Sequence, residues 1–244
     1  MTQTLGVLGG MGPAATVDFL NKLISLTEAS CDQDHVPVVA MSDPRIPDRS
    51  AAIEGRGPSP EPMLIALLSR LETAGADLIA IPCNTAHHWF DALQAASSVP
   101  LLSIIDAVLE TILSSAPSGS QVGILATEGT ILANLYHQPL IAAGYLPEAL
   151  DPVWRDRFVE GGIRQIKAGN TPAGLVLLEK ALEELTRIGC RHAILGCTEV
   201  SVAFGNDRSR PGVTLHDSNR SLAQMALRHI GRTPIQQTGA RIEP

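Results

Sequence analysis

Short apolar runs rich in β-branched residues alternate along this chain with longer segments whose apolar positions recur every three or four residues. The runs Leu5–Leu8, Val36–Met41, Leu78–Ile81, Leu101–Ile104, Val122–Leu125 and Ala193–Leu195 have the length of buried strands. Helical spacing predicts helices over Ala14–Leu26, with Val17, Leu20 and Ile24 on one face, and over Met63–Leu71 and Leu175–Leu185. A last helix is expected over Ser218–His229. This alternation implies an α/β fold in which a mostly parallel sheet lies between helices.

The order of elements repeats. Gly6-Val7-Leu8 and Gly123-Ile124-Leu125 each lead from a strand into a loop and then a helix. Later, one helix ends at Gly75 and another at Gly189, where glycine serves as the left-handed stop. Eight residues then separate Gly75 from Cys83 and Gly189 from Cys197, with a strand in between. The expected organisation is two pseudo-symmetric lobes, 1–98 and 99–212, with an active site in the cleft between them. Residues 213–230 would return to the first lobe, and 231–244 would form a flexible tail. The stretch Asp43–Pro62 holds five prolines and no periodicity, which marks a functional or mobile loop.

Composition narrows the function. The chain has 244 residues and a net charge of -7, and only 3% of its residues are aromatic, so neither a basic stripe nor a stacking surface for nucleic acid is expected. Gly, Pro or a charge interrupts every apolar run before it reaches membrane-spanning length. The start of the chain lacks the pattern of a secretory signal. The four cysteines are then expected as reduced thiols in the cytoplasm.

Both Cys83 and Cys197 fall where a strand gives way to a helix start, the end of an α/β sheet at which ligands bind. The partial positive charge of a helix start favours a thiolate. The residues that follow, Asn84-Thr85 and Thr198-Glu199, offer a cradle for a carboxylate. A symmetric pair of thiols suits stereoinversion, in which a base takes a proton from one face of a carbon and an acid returns one to the other. A lone cysteine after a strand is ordinarily a small buried hydrophobe, and Cys31 and Cys190 are read that way. Cys83 and His87 would share a helix face, but metal sites use three or four ligands and no second close Cys/His pair follows, so no metal is expected.

Six segments give the chain a resemblance to the aspartate/glutamate racemase superfamily, and most to its aspartate racemase branch. They are Gly6-Val-Leu-Gly-Gly-Met-Gly-Pro-Ala-Ala-Thr16, Ile46-Pro-Asp-Arg-Ser50, Ile81-Pro-Cys-Asn-Thr-Ala-His87, Leu125-Ala-Thr-Glu-Gly-Thr130, Ile166-Lys-Ala-Gly-Asn170 and Leu195-Gly-Cys-Thr-Glu199. The resemblance implies a pyridoxal-independent homodimer that uses no cofactor and acts on a small acidic amino acid, with Cys83 and Cys197 as its acid/base pair. It implies that Asn84, Thr85, Thr127 and Thr198 hold a carboxylate, with Met11 and Glu199 also at the substrate. Arg49 and Lys167 match the family's cationic positions, and a guanidinium can grip a second carboxylate with two parallel bonds. Ser50 departs from the family's threonine, and Leu150–Trp154 matches no family segment. The glutamate branch's Asp-Ser-Gly loop is absent, and Gly12-Pro13 stands where the broad-specificity branch tends to carry Trp and Ser; both differences favour aspartate.

Three other readings compete. Gly10-Met-Gly-Pro-Ala-Ala15 fits a loose dinucleotide-binding pattern, although Asp32 and Asp34 precede the next strand instead of ending it. A nicotinamide-dependent oxidoreductase would also leave the paired cysteines unexplained. A relative acting on glutamate, a broader range of amino acids or another small acid is the second reading. A non-catalytic amino-acid-binding module is the third, and it has no need of two thiols.

Overall fold

Two parallel sheets with the same internal order form the frame of the protein. The computed structural model describes residues 3–205 and 209–235. In the first unit, β1 (Leu5–Gly9), α1 (Pro13–Leu26), β2 (Val38–Ser42), α2 (Arg49–Ile53), α3 (Glu61–Thr73), β3 (Leu78–Ala80), α4 (Phe90–Ala96), β4 (Leu101–Leu102) and α5 (Ile104–Ser115) follow in turn. In the second come β5 (Gln121–Leu125), α6 (Glu128–Leu132), α7 (His137–Ala142), β6 (Leu146–Glu148), α8 (Pro152–Trp154), α9 (Gly161–Lys167), α10 (Thr171–Arg187), β7 (His192–Leu195), α11 (Thr198–Phe204), β8 (Ser209–Arg210), β9 (Val213–Asp217) and α12 (Ser218–His229). The first sheet runs β2-β1-β3-β4 and the second β6-β5-β7-β9-β8, parallel throughout except at β8. Replacing β1, β2, β3 and β4 by β5, β6, β7 and β9 turns one order into the other, so the repeat in the sequence is a repeat in topology.

Gly75 and Gly189 end α3 and α10 with φ of +92° and +111°, a backbone that costs a residue with a Cβ about 1–2 kcal/mol. Each stop turns the chain into a fully buried three- or four-residue strand, β3 or β7. The two cysteines leave those strands at the same end of their sheets.

Three expectations need correction. Leu101–Leu102, placed in the second lobe by the sequence, pairs with β3 in the first sheet. Val213–Asp217 does not begin a return to the first lobe; it pairs with β7 in the second sheet, and only then does α12 pack against α1, α5 and β4. The strand at 213–217 is short, and with only Val213 and Leu215 apolar its alternation is too brief to stand out in the sequence. The face predicted for α1 is also the wrong one. Val17 and Ile24 are exposed, while Ala15, Thr16, Phe19, Lys22, Leu23 and Leu26 face the core. Two nearly equal stripes compete on this helix, and burying Phe19 with Leu23 and Leu26 outweighs burying two smaller β-branched side chains.

One apolar cluster runs through both units, from Leu5, Val7 and Phe19 through Ile104 and Val108 to Val122, Ile194 and Leu222. Smaller clusters fill the outer side of each unit. The proline-rich stretch contains α2 and the start of α3. Residues 231–235 follow α12 without regular structure, held in part by Ile235 N–H donating to the Leu26 carbonyl at 2.9 Å; the rest of the expected tail lies outside the described residues. No helix among the described residues is long and apolar enough to cross a membrane.

Candidate active site

All ten residues singled out in the sequence line one cleft. Met11, Arg49, Cys83, Asn84, Thr85, Thr127, Lys167, Cys197, Thr198 and Glu199 are joined there by Asp48 and Ser50. They come from loops at the carboxyl ends of β1, β3, β5 and β7, together with α2 and the end of α9.

Cys83 and Cys197 are free thiols and are buried, and their local settings differ. Cys197 is the N-cap of α11, and its Sγ donates to Glu199 Oε2 at 3.0 Å. Burial, followed by the Glu199 charge, pushes the Cys197 thiol well above its ordinary range, against the pull of Lys167. A lowered value was expected at a helix start. In a buried setting, a carboxylate two residues away outweighs the partial charge of a seven-residue helix. Cys83 instead lies two residues before a 3-10 turn, Thr85–Trp89, whose preceding residue Asn84 makes no side-chain cap.

His87 serves the Cys83 loop from behind and does not line the cleft. Its Nε2 accepts from Ile104 N–H at 2.9 Å, so Nδ1 carries the proton and donates to the Cys83 carbonyl at 2.8 Å. Burial lowers its pKa from 6.5 to about 4. The neutral ring is therefore the folded form, and it contributes stability in full above pH 6.5. Between pH 6.5 and pH 4 the unfolded chain takes up a proton that the folded one refuses, so about 3 kcal/mol of stability is lost on this account. Urea unfolding at pH 7 and pH 4.5 checks this. His87→Gln is expected to be less stable at pH 7 but to show a smaller fall across that interval, and an equal fall would remove His87 from the explanation.

Arg49, the first residue of α2, is buried and its guanidinium meets only backbone carbonyls. Nη1 donates to Ile46 and Pro47 at 3.3 and 3.0 Å, Nη2 donates to Met11 at 3.3 Å, and Nε has no partner among the described residues. Asp48 starts the helix by accepting from Ala51 N–H at 2.8 Å. Across the cleft α2 rests on α6, where a Cβ on Gly129 would stand 2.7 Å from the Ser50 Cα. The bare glycine thus lets the helix that carries Arg49 reach the second unit. Lys167 is the last residue of α9 and is exposed as a whole. Its ammonium is crowded enough for desolvation to oppose its charge, yet Glu199, Cys197 and Cys83 outweigh that and the repulsion of Arg49, and its pKa is raised. Neither cation forms a salt bridge among the described residues.

Thr85 and Thr127, expected as separate ligands of a carboxylate, are bonded to each other. With Thr130 their hydroxyls close a triangle of 2.9, 2.9 and 3.0 Å that joins the first unit to the second. Thr198 is buried at the first position of α11, and Glu199 is occupied by the Cys197 thiol. Leu150–Trp154 leads into α8, which continues through a π-helical turn, Arg155–Glu160, into α9. This run forms an outer mouth of the cleft with Pro152, Asp156 and Glu160.

Sequence reasoning passed over Asp48, Tyr136 and Ser218. Asp48 stood inside a matched segment, whereas Tyr136 lies in a stretch with no motif. Of the other two cysteines, Cys190 is buried as expected, with burial raising its pKa to about 11, but Cys31 is exposed beside the 3-10 turn Asp32–Asp34. Asp32 and Asp34 sit in that same turn before β2, and Gly10–Gly12 opens onto the cysteine cleft through Met11. Among the described residues no group of three His, Cys, Asp or Glu side chains is placed to hold a metal.

The arrangement can move protons between two thiols and a small anionic molecule. Comparison with known proteins agrees with it. The broad specificity amino-acid racemase RacX of Bacillus subtilis (strain 168) is 28% identical over 91% of this chain and 96% of its own. A glutamate racemase of Corynebacterium kroppenstedtii is 30% identical over 61% of this chain and 52% of its own. The structure of Picrophilus torridus aspartate racemase superposes with a TM-score of 0.84 at 29% identity, covering 96% of each chain. The profile of the Asp/Glu/hydantoin racemase family matches residues 8–226, nearly all of the two repeated units, and the chain belongs to that family.

Proposed function

We propose that this amino-acid racemase of the Asp/Glu superfamily interconverts L- and D-aspartate without a cofactor, using Cys83 and Cys197 as a base and an acid on opposite faces of Cα. The observation that carries this reading is the meeting of two buried thiols, from equivalent positions of two repeated units, in a cleft whose cations lack carboxylate partners among the described residues. In one direction the Cys83 thiolate takes the Cα proton and the α-carboxylate absorbs the developing charge. The Cys197 thiol then donates its proton to the other face, leaving Cys83 as thiol and Cys197 as thiolate. The reverse reaction exchanges the roles. The raised pKa of Cys197 and its bond to Glu199 support its being the acid at rest.

Asn84, Thr85, Thr127 and Thr198 then hold the α-carboxylate, a threonine hydroxyl turning its proton out of the triangle with Thr130 to do so, Arg49 and Lys167 hold the β-carboxylate, and Met11 and Glu199 complete the walls. Charge-assisted bonds to two cations favour a dianionic substrate over alanine or lysine. The similarity to an aspartate racemase along nearly the whole chain supports the same choice. We further propose a homodimer in a reducing, cytoplasmic setting, to be checked by sedimentation and by thiol titration of freshly isolated protein.

The test is incubation with L-aspartate in deuterium oxide and no added cofactor, with L-glutamate, L-alanine and L-lysine alongside. D-aspartate carrying deuterium at Cα is the expected product. Arg49→Gln is expected to lower kcat/KM for aspartate by about 100-fold, the loss of a charged hydrogen bond to a desolvated carboxylate, with a much smaller effect on alanine. Faster turnover of alanine or lysine than of aspartate would remove aspartate from the reading.

A further inference from the structure

One buried side chain touches the loops of both cysteines and belongs to neither. Tyr136 lies between α6 and α7, and its Oη donates to Asn84 Oδ1, the amide next to Cys83. Its ring meanwhile fills the space left by Gly196, the residue before Cys197. A Cβ there would stand 3.1 Å from Tyr136 Cε2 and 3.1 Å from Ala126 Cβ. From the opposite side, Ser218 at the start of α12 accepts from Asn84 Nδ2 at 3.1 Å. With a phenol donating to Oδ1 and a hydroxyl accepting from Nδ2, the amide has one orientation, and one N–H of Nδ2 remains for the cleft.

We propose that Tyr136 is a positioning residue of the racemase: its hydroxyl fixes the Asn84 amide so that the remaining N–H faces the substrate carboxylate, while its ring sets the height of the Cys197 loop. Burial, with the charges of Cys197 and Asp217, holds the Tyr136 phenol well above its ordinary range, which keeps it a donor across the working pH. The hydroxyl is what does the orienting. Phenylalanine would fill the same space beside Gly196 but leave Oδ1 without its partner, and a buried amide short of a partner turns toward whatever donor it can find.

This inference rests on the racemase reading, and its test has one part that does not. In the first part, kcat/KM for aspartate is measured for Tyr136→Phe, Asn84→Ala and the double variant. Tyr136→Phe is expected to lose about tenfold, Asn84→Ala more, and the double variant no more than Asn84→Ala alone. An equal loss from Tyr136→Phe with and without Asn84 would show that the tyrosine acts elsewhere and would overturn the proposal, as would full activity of Tyr136→Phe.

In the second part, the side-chain amide signal of Asn84, identified by its disappearance in Asn84→Ala, is followed by NMR. Slow exchange is expected in the wild type and is lost in Tyr136→Phe; retention in that variant overturns the proposal. This readout stands even if no amino acid is racemised, an outcome that would remove the functional reading alone. Should Tyr136→Phe not fold, the hydroxyl proton of Tyr136 is followed in its place. Bonded to Asn84 Oδ1, it is expected as a slowly exchanging signal in the wild type that is lost in Asn84→Ala, and its persistence there overturns the proposal.

Discussion

Cys83→Ala and Cys197→Ala are each expected to lower kcat/KM for aspartate racemisation by about 1,000-fold or more, since in the two-base mechanism proposed above each removes a proton-transfer group worth roughly 10² to 10⁴ in rate and leaves the other with no way to finish the inversion. Both thiols are buried in the same cleft. The two variants should nevertheless differ in what they retain. With Cys197 gone, Cys83 still faces one side of Cα, so one enantiomer should exchange its Cα hydrogen with deuterium oxide without inversion. With Cys83 gone, exchange should move to the other enantiomer. Removing Cys197 also frees Glu199, which accepts the thiol's hydrogen bond at 3.0 Å, so an unpaired buried carboxylate near Lys167 is a second cost of that variant. The measurement is chiral chromatography with mass detection, run on each pure enantiomer. Equal exchange of both enantiomers by a single variant would sink the two-base mechanism, and so would substantial racemisation by either.

That the residues of the candidate site share one cleft was legible in the sequence because short motifs at strand ends are local. Gly75 and Gly189 mark helix stops, and a fixed number of residues later the chain leaves a buried strand at the mouth of the fold. Arg49 and Lys167 were found by resemblance alone, because nothing in a proline-rich loop or at a helix end signals a cation aimed into a cleft. What escaped was non-local. Cys197's raised pKa follows from burial and from Glu199, whereas its position at a helix start pointed the other way. The buried face of α1 depends on partners about 200 residues away, which periodicity cannot register. Tyr136 belongs to the same class, since its meaning lies in Asn84 and Gly196, and both are distant in sequence.

Lys22→Met is expected to destabilise the protein by about 3–5 kcal/mol, the usual cost of stripping one partner from a buried ion cluster. Lys22 is 2% exposed and lies on the core side of α1, with Nζ 2.7 Å from Asp18 and 2.6 Å from Asp217. Methionine fills much of the same volume, so the loss comes from charge and little from packing. Asn219 donates to Asp18 at 2.8 Å and to the Ala15 carbonyl at 3.1 Å, and Asp217 caps α12 by accepting from Arg220 N–H at 3.0 Å. The cluster therefore ties α12 of the second unit to α1 of the first, and Ser218, which holds Asn84, is the next residue along. Burial already raises the Asp18 pKa despite Lys22, and without the ammonium it should rise further. A carboxyl whose folded pKa lies above its unfolded value costs stability as pH rises through the folded value. The deficit of Lys22→Met should therefore be largest near pH 7.5 and shrink toward pH 5. A domain of this size loses about 2–4 °C in melting temperature per kcal/mol, so a fall of roughly 10 °C is expected at pH 7.5. Adding Asp18→Asn should recover part of it by removing one orphaned charge. A melting temperature within 2 °C of wild type, or a deficit that grows on acidification, would show that the cluster does not hold the two units together by charge.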